Sequence, residues 1–308
     1  MRAIVTGGAG FIGSHVVDAL VARGDEVTVL DNLSTGRREN VNEAARLVEA
    51  DLAAAPEAFA DARPEICFHL GAQVDVRVSV ERPDFDAEVN LLGTIHVLEA
   101  ARGHGAQVVL ASTGGAIYGE CDGPADEESP RRPLAPYGAS KLSAEEYLAT
   151  YNRLYETGHV ALRYGNVYGP RQDPHGEAGV VAIFLGRLAR GEPLRIFGDG
   201  RQTRDYVYVG DVVTATLAAQ GHAGVFNVGT GTETSVLDLA EACQSAAGVS
   251  VETEHAAARP GELQRSVLDP GRAERELGVR AQTSLGDGLA ATWEFIREAE
   301  GEGVDEAN

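Results

Sequence analysis

The chain has 308 residues, 44% of them hydrophobic, and lacks any apolar run of the roughly 18 residues that a membrane span needs, so its composition excludes disordered and membrane-spanning proteins. Its 47 acidic and 26 basic residues give a formal net charge of −21 at pH 7, which excludes binding to nucleic acid or anionic membrane through overall charge. The N-terminus reaches a glycine-rich turn after one short apolar run, which does not match a signal peptide, and we expect a cytoplasmic protein.

The first half of the chain alternates strand-like and helix-like segments, which is typical of βαβ units. Its strand-like runs are short and continuously apolar, as in strands buried on both faces of a parallel sheet: AIVT (3–6), EVTVL (26–30), ICFHL (66–70), QVVLAS (107–112) and HVALRY (159–164). Between them, residues 84–102 have apolar positions at three- and four-residue spacing, which predicts a helix. The pattern therefore predicts an α/β fold with a doubly wound parallel (Rossmann) sheet.

A smaller second domain is predicted after residue 170, where loops rich in Gly, Pro and Arg separate short helices near 180–190 and 235–246. We therefore divide the chain into a dinucleotide-binding Rossmann domain at 1–170 and a smaller C-terminal substrate domain at 171–308. Residues 204–230 are expected to return to the first domain.

The three cysteines, Cys67, Cys121 and Cys243, are odd in number and far apart, which argues against a disulfide framework. Neither they nor the eight histidines are spaced like metal ligands, so the sequence predicts no metal site. His69, within a strand-like run, is interpreted as a packed core histidine rather than a catalytic one.

A dinucleotide site is predicted directly after the first strand, in the stretch VTGGAGFIGSHVV. Gly7, Gly10 and Gly13 there follow a GxxGxxG spacing between a strand and a helix. They allow a tight turn and the close approach of a pyrophosphate to the helix N-terminal amides. Asp31 ends the second strand-like run, 24 residues after Gly7, where a carboxylate can bind ribose hydroxyls and would repel a 2′-phosphate. The site is therefore predicted to bind NAD rather than NADP.

Tyr137 and Lys141 form the candidate catalytic pair, since residues four apart lie on one face of a helix. A free tyrosine, with a pKa of about 10, is a poor base at neutral pH. A lysine ammonium and a positively charged nicotinamide beside it are expected to lower that pKa. Lys141 is the only lysine in the chain, although arginine would serve equally well on a solvated surface. The pair is therefore interpreted as an acid/base.

Several motifs, in order along nearly the whole chain, resemble the extended short-chain dehydrogenase/reductases and, more narrowly, their NAD-dependent sugar-nucleotide epimerases. The motifs are TGGAGFIG (6–13), HLGAQ (69–73), NLLGT (90–94), STGGAIYG (112–119), YGASK (137–141), RYGNVYGP (163–170) and RPGE (259–262). The resemblance implies that Tyr137 and Lys141 are catalytic and that a hydroxyl on the preceding loop completes the set. In that family the hydroxyl lies four residues before the loop tyrosine matching Tyr118, where this chain has Gly114.

The catalytic hydroxyl is therefore either Thr113 or Ser112, and Thr113 is favoured because the two glycines after it allow the loop to reshape. Related dehydratases carry an Asp-Glu pair after the threonine and related decarboxylases a nearby glutamate, whereas this chain has Gly114, Gly115 and Ala116. Without an extra acid, the implied chemistry is 4-epimerisation: oxidation at C4 of a nucleotide-diphosphate hexose to a 4-keto intermediate, and reduction from the other face. UDP-glucose and UDP-galactose are the expected pair.

Other functions stay open beside this one. A sugar-nucleotide oxidoreductase of the same superfamily would release its NADH, and a dehydratase would lose water. A catalytically silent NAD-binding protein is disfavoured, because such relatives typically lose the tyrosine or the lysine, and both Tyr137 and Lys141 are present.

The sequence and the resemblance together imply the ligand contacts, with Asp51 and Leu52 bracketing the adenine. NAD contacts are expected from Gly7, Gly10, Phe11, Ile12, Gly13, Asp31, Asn32, Asp51, Leu52, Leu70, Ala72, Gln73, Asn90, Tyr137, Lys141 and Tyr164. Contacts to the nucleotide-diphosphate sugar are expected from Asn166, Val181, Phe197, Arg204, Arg259, Glu262 and Ser266. Among these, the two arginines supply positive charge for the diphosphate.

Two further expectations come from the resemblance. Ser266 lies four residues after Glu262, where epimerases restricted to plain hexoses have a tyrosine, so an N-acetylated sugar is also expected to fit. A homodimer is expected through the helices at 84–102 and 136–156. Its candidate contacts are Leu98, Leu142 and Tyr151, unless these side chains pack on their own sheet.

Overall fold

The computed structural model describes residues 1–174, 179–258 and 263–305. The strands are β1 (Arg2–Thr6), β2 (Glu26–Asp31), β3 (Arg46–Glu49), β4 (Ile66–His69), β5 (Gln107–Thr113), β6 (Val160–Tyr164), β7 (Asn166–Tyr168), β8 (Leu194–Phe197), β9 (Thr203–Arg204), β10 (Tyr206–Tyr208), β11 (Gly224–Val228), β12 (Thr234–Ser235), β13 (Thr253–Ala256) and β14 (Arg265–Ser266). The α-helices are α1 (Phe11–Ala22), α2 (Ala55–Ala62), α3 (Val76–Glu81), α4 (Pro83–Ala87), α5 (Gly93–His104), α6 (Gly114–Ile117), α7 (Pro136–Tyr155), α8 (Val180–Ala189), α9 (Val209–Ala218), α10 (Val236–Ala247), α11 (Gly271–Leu277) and α12 (Leu285–Asp305).

A seven-stranded parallel sheet forms the centre of the molecule, in the order β11-β6-β5-β4-β1-β2-β3. The direction of winding reverses between β1 and β4, so a crevice opens there beyond the carboxyl ends of the strands. The five strand-like runs of the sequence correspond to β1, β2, β4, β5 and β6. The predicted doubly wound Rossmann sheet is therefore confirmed.

Apolar clusters cover both faces of this sheet, which explains why its strands lack polar alternation. On one face, Val16 and Leu20 of α1 and Val212 of α9 pack against the strands. On the other face, Phe59 of α2 and Leu98 of α5 do so. The two layers hold the carboxyl ends of the strands in place at the crevice.

The predicted helix at 84–102 is interrupted in the structure. The helix α4 ends at Ala87, a π-helical turn spans Glu88–Leu92, and α5 begins at Gly93. The turn contains Asn90, whose side chain bonds the backbone of Gln73 in both directions. Such π-helical turns occur mostly at functional sites, and this one directs a side chain into the loop after β4.

The C-terminal part has an apolar cluster of its own. It includes Phe184 of α8, Ile196 of β8, Leu239 of α10 and Leu289 of α12. The helices predicted near 180–190 and 235–246 are confirmed as α8 and α10. The strand β11 pairs with β6 in the central sheet, while the boundary proposed at residue 170 stays a prediction.

The candidate dimer contacts are partly wrong. Leu98 is completely buried and Tyr151 is only 9% exposed in the cluster beneath α5 and α7, so both pack on their own sheet. Helix periodicity cannot separate burial in a dimer interface from packing on the chain's own sheet, because each places apolar residues on one face. Within the described ranges, no helix combines the length and the apolar character needed to cross a membrane. The three cysteines are free thiols.

Candidate active site

The glycine-rich turn lies at the carboxyl end of β1, beside the crevice. Gly7 has φ +68°, and a Cβ atom there would lie 2.6 Å from the backbone nitrogen of Gly71, so only glycine fits. Gly10 is the N-cap of α1, and Phe11, Ile12 and Gly13 form its first turn. Amides of a first helical turn have no acceptor within the helix and attract anions. The turn therefore suits a pyrophosphate, as predicted.

Asp31 joins the end of β2 to the glycine turn and is only 8% exposed. Its Oδ2 accepts a hydrogen bond from the backbone of Ala9 at 2.9 Å, and its Oδ1 accepts one from the backbone of Leu33 at 2.9 Å. Each carboxylate oxygen can accept a further bond, so ribose hydroxyls can still be bound. A buried carboxylate at this point suits NAD and disfavours a 2′-phosphate.

Replacing Asp31 by Ala is expected to weaken NAD binding by about tenfold to a hundredfold, the range for losing hydrogen bonds to a charged group. NADP should lose less, so the preference for NAD falls. Titration calorimetry with both dinucleotides measures the change, and Asp61→Ala, at an exposed position of α2, is the matched control. A native protein that bound both dinucleotides equally would contradict the role of Asp31.

The loop after β4 is held by a buried polar network that contains an unpredicted residue, Asp86. Its Oδ1 accepts hydrogen bonds from Gln73 Nε2 at 2.8 Å and Asn90 Nδ2 at 2.9 Å. Asn90 Oδ1 in turn accepts from the backbone of Gln73 at 3.0 Å. The side chains of Gln73 and Asn90 thus bond to protein groups and shape the crevice. The available sequence signal was spacing, since Asp86 precedes Asn90 by one helical turn.

The remaining predicted NAD residues lie at or after the carboxyl ends of β2, β3, β4 and β6. Asn32 Nδ2 donates to Asp51 Oδ1 at 2.6 Å, which links the loops after β2 and β3. The Tyr164 hydroxyl lies 2.8 Å from Thr216 Oγ1. Leu52 follows Asp51, and Leu70 and Ala72 follow β4. Their contacts with NAD stay predictions.

His69 is a packed core histidine, as interpreted from the sequence. It is 1% exposed, with Nδ1 at 2.6 Å from Thr6 Oγ1 and Nε2 at 3.1 Å from Thr94 Oγ1. Burial, with a smaller effect from the charge of Lys141, lowers the pKa of His69 to about 3. A neutral ring with both nitrogens engaged is suited to holding strands rather than to proton transfer.

Tyr137 and Lys141 lie one turn apart near the start of α7. Lys141 is 3% exposed, and its Nζ donates to the carbonyl oxygen of Ala111 at 3.1 Å. Burial lowers the pKa of Lys141 to about 8, against opposing effects from the charges of Asp86 and Glu145. The charges of Asp86 and Glu145 thus favour the ammonium form of this buried lysine.

The expectation that the pKa of Tyr137 is lowered is not met by the protein's own groups. Burial and, to a smaller extent, the charge of Asp86 raise this pKa to about 12, and the hydrogen bond with Thr113, which acts in the lowering direction, does not offset them. Two positive charges were expected to lower this pKa, the Lys141 ammonium and the nicotinamide, and the second of them belongs to the cofactor. The pair alone therefore holds Tyr137 as a neutral phenol.

The structure distinguishes the two candidate hydroxyls at the end of β5. Ser112 Oγ donates to Glu145 Oε1 at 2.5 Å, and Glu145 also forms a buried ion pair with Arg163, with Nη2 to Oε2 at 2.6 Å. The Ser112 hydroxyl is thus part of a buried network with Glu145 and Arg163. Thr113 instead bonds to Tyr137. The arrangement favours Thr113 as the catalytic hydroxyl.

Packing explains why Gly114 occupies the position of the expected hydroxyl. A Cβ atom on Gly114 would lie 2.5 Å from Leu268 Cδ1, so this position contacts the core of the C-terminal segment. A Cβ atom on Gly115 would lie 3.5 Å from Asn166 Oδ1 and 3.9 Å from Thr113 Oγ1. Gly115 therefore faces the predicted catalytic and substrate groups, and Gly114 does not.

Replacing Thr113 by Val is expected to lower turnover by about tenfold to a hundredfold, the usual range for one lost hydrogen bond to a charged group. The neighbouring Ser112→Ala exchange should instead lower the thermal midpoint, because it leaves Glu145 with one donor fewer in the core. Steady-state kinetics and thermal unfolding of both variants separate the roles. Equal loss of turnover in both variants would contradict the assignment.

The predicted substrate residues form two groups in the described part of the chain. Asn166 begins β7 beside Gly115, whereas Arg204 and Ser266 are paired neighbours on β9 and β14. Phe197 is half-buried at the end of β8, with the Arg195 guanidinium 5.4 Å from its ring centre.

Of the three remaining predicted substrate residues, Val181 alone lies within the described ranges. Val181 is 1% exposed on the core face of α8, so its side chain contacts the protein interior. Arg259 and Glu262 lie outside the described residues. Their roles stay predictions.

The chain is similar to known proteins along nearly its whole length. Residues 3–229 match the NAD dependent epimerase/dehydratase family. The UDP-glucose 4-epimerase of Mycolicibacterium smegmatis is 48% identical over 96% of this chain and 99% of the relative. Two solved structures are also similar: the UDP-glucose 4-epimerase of Thermotoga maritima with UDP-glucose (45% identity, TM-score 0.95) and that of Thermus thermophilus with NAD (48% identity, TM-score 0.93). Each alignment covers 97% of this chain and 100% of the other.

These similarities confirm the resemblance found in the motifs, and the dependence of the family on NAD confirms the predicted cofactor. The range that matches the family model, residues 3–229, begins in β1 and ends just after β11. The chain therefore belongs to the NAD dependent epimerase/dehydratase family.

Proposed function

We propose that this chain interconverts UDP-glucose and UDP-galactose by NAD-dependent epimerisation at C4. The carrying observation is the arrangement at the end of β5, where Thr113 bonds to Tyr137 and the next residues provide no acid. A dehydratase needs such an acid to expel water. Relatives named UDP-glucose 4-epimerase, at 45% and 48% identity, support the choice of substrate.

In the proposed reaction, the Tyr137 phenolate takes the proton of the C4 hydroxyl, and Thr113 donates a hydrogen bond to the same oxygen. Lys141 stabilises the phenolate with its ammonium. NAD, which the glycine turn and Asp31 would hold, would supply the hydride acceptor and donor for C4. The 4-keto sugar turns before it is reduced, so reduction occurs on the opposite face of C4. Tyr137 returns its proton to the same C4 oxygen, and no net redox change results.

The decisive experiment incubates the purified protein with NAD and UDP-glucose and follows the sugar by NMR. We expect UDP-galactose to accumulate to equilibrium, while NADH absorbance stays far below the amount of product. Stoichiometric NADH would indicate the alternative oxidoreductase, and a 4-keto-6-deoxy sugar would indicate a dehydratase. Binding of NAD without turnover of any nucleotide sugar would indicate a catalytically silent protein.

We propose that Ser266 allows the enzyme to use N-acetylated nucleotide sugars as well as UDP-glucose. Its side chain is small and lies beside Arg204 in the strand pairing, so an acetamido group is expected to fit there. Ser266→Tyr should lower kcat/KM for UDP-N-acetylglucosamine by about tenfold to a hundredfold, the range for a steric misfit, and affect UDP-glucose much less. Native protein that rejects N-acetylated sugars, or a variant that keeps its activity on them, would contradict this proposal.

We also propose a homodimer, with a contact surface that differs from the buried candidates. Exposed apolar side chains lie on the outer faces of α3 and α7: Val76, Val80, Leu154 and Tyr155. Large apolar side chains exposed on helix surfaces are typical of protein contacts. Sedimentation at micromolar concentration should give a dimer, and a monomer alone would reject the proposal.

A further inference from the structure

Asp86 is a buried carboxylate with an unusual environment. The residue is 0% exposed on α4, and its Oδ1 accepts two amide hydrogen bonds, from Gln73 at 2.8 Å and Asn90 at 2.9 Å. Its Oδ2 is also buried, and within the described ranges no group donates a hydrogen bond to it. A buried carboxylate oxygen without a donor is unfavourable unless a positive charge compensates it.

The second buried carboxylate of this region is compensated differently. Glu145, one turn after Lys141 on α7, is held by the Arg163 guanidinium through contacts of 2.6, 3.0 and 3.1 Å. Asp86 has only neutral amides on its Oδ1. Asp86 on α4 and Lys141 on α7 are both buried, and these two helices pack against each other. The negative charge of Asp86 therefore acts on Lys141, where it favours the ammonium, and on Tyr137, where it disfavours the phenolate.

Other charged groups near α4 are poorly placed to compensate Asp86. Asp75 caps the start of α3 with its own carboxylate. The guanidinium of Arg82 lies over the Phe85 ring, 4.9 Å from its centre. The remaining charged side chains on the neighbouring helical segments are exposed to solvent: Arg77, Glu81, Asp84 and Glu88.

We propose that Asp86 is a positioning residue of the reaction, whose buried carboxylate is the counter-charge of the buried Lys141 ammonium beside Tyr137. This inference rests on the proposed function and deepens it. Burial alone would favour a neutral lysine, which cannot stabilise a phenolate. Asp86 and Lys141 together carry no net charge, so a buried site can hold both. Gln73 and Asn90 keep the carboxylate in place through Oδ1 and leave Oδ2 for this electrostatic role.

The first test is the pH profile of turnover in Asp86→Asn, which preserves side-chain size and an oxygen for Gln73 and Asn90. Without the charge, Lys141 loses its proton at lower pH, so the alkaline fall of kcat should move to lower pH by about one unit or more. The matched control is Asp84→Asn, an exposed acid on the same helix, whose profile should equal that of the native protein. A purely structural role for Asp86 would lower kcat without moving the profile.

The second test measures stability and needs no activity. Lys141→Met leaves Asp86 buried without a compensating charge, which should lower the thermal midpoint at neutral pH by about 5 °C or more. The loss should shrink at acid pH, because protonation of the carboxylate removes the uncompensated buried charge. Adding Asp86→Asn to Lys141→Met removes both charges and should restore at least half of the lost midpoint.

The outcomes are separable. An unmoved alkaline limb in Asp86→Asn, or losses of midpoint that simply add in the double variant, would overturn the role of Asp86. If Asp86→Asn alone does not fold, the double variant should still fold, and its failure would also overturn the inference. Native protein that binds NAD but does not epimerise UDP-glucose would reject the proposed function, and the stability cycle would still decide whether Asp86 compensates Lys141.

Discussion

Tyr137→Phe is expected to lower turnover by about 10² to 10⁴, the usual range for removing a general acid/base, while NAD binding stays nearly intact. The exchange removes only the hydroxyl, which bonds to Thr113, and leaves the half-buried ring in place. Stopped-assay kinetics with UDP-glucose measure the loss, and calorimetry with NAD measures the binding.

The control for this prediction is Tyr147→Phe, which makes the same chemical change further along α7, at a side chain that is 44% exposed. It should leave turnover within about twofold, as surface substitutions away from a site usually do. A Tyr137→Phe variant that retained most of its activity would remove Tyr137 from the mechanism.

Lys141→Arg is expected to abolish most turnover, by about 10² or more, although it preserves the positive charge. Lys141 is 3% exposed and its Nζ bonds to the Ala111 carbonyl at 3.1 Å, so a larger planar guanidinium has no room there. Overpacking a buried position also destabilises by about 1 to 3 kcal/mol. Kinetics and thermal unfolding of the same preparation separate the two effects.

The converse exchange Arg153→Lys, at an exposed position near the end of α7, is the matched control and should change neither quantity. Near-normal turnover of Lys141→Arg would show that the single lysine of the chain is an accident of composition. Turnover that fell only in proportion to the folded fraction would show that Lys141 is structural.

Local sequence patterns determined the central sheet and where its candidate site residues lie along the chain. Continuous apolar runs predicted β1, β2, β4, β5 and β6 because strands covered on both faces have no solvated side. The glycine spacing and Asp31 predicted a turn that the structure forms at the carboxyl end of β1. The four-residue spacing of Tyr137 and Lys141 was sufficient to place them on one helix face. Each of these inferences depends on residues close together in the chain.

Only the tertiary structure decided which groups meet across the chain. Ser112 and Thr113 are adjacent, yet Glu145 binds the first and Tyr137 is near the second, although these two partners lie about two turns apart on α7. Leu268, far along the chain, fills the space beside Gly114.

The pKa values of Tyr137 and Lys141 could not be predicted from local sequence patterns either. The sequence placed Lys141 beside Tyr137 and predicted a lowered pKa for the phenol, but burial and Asp86 raise it to about 12 in the protein alone. Burial and the approach of a charge from another helix arise only when the elements pack. Because desolvation and charge act through space rather than along the chain, their balance at Tyr137 and Lys141 is set by the folded structure.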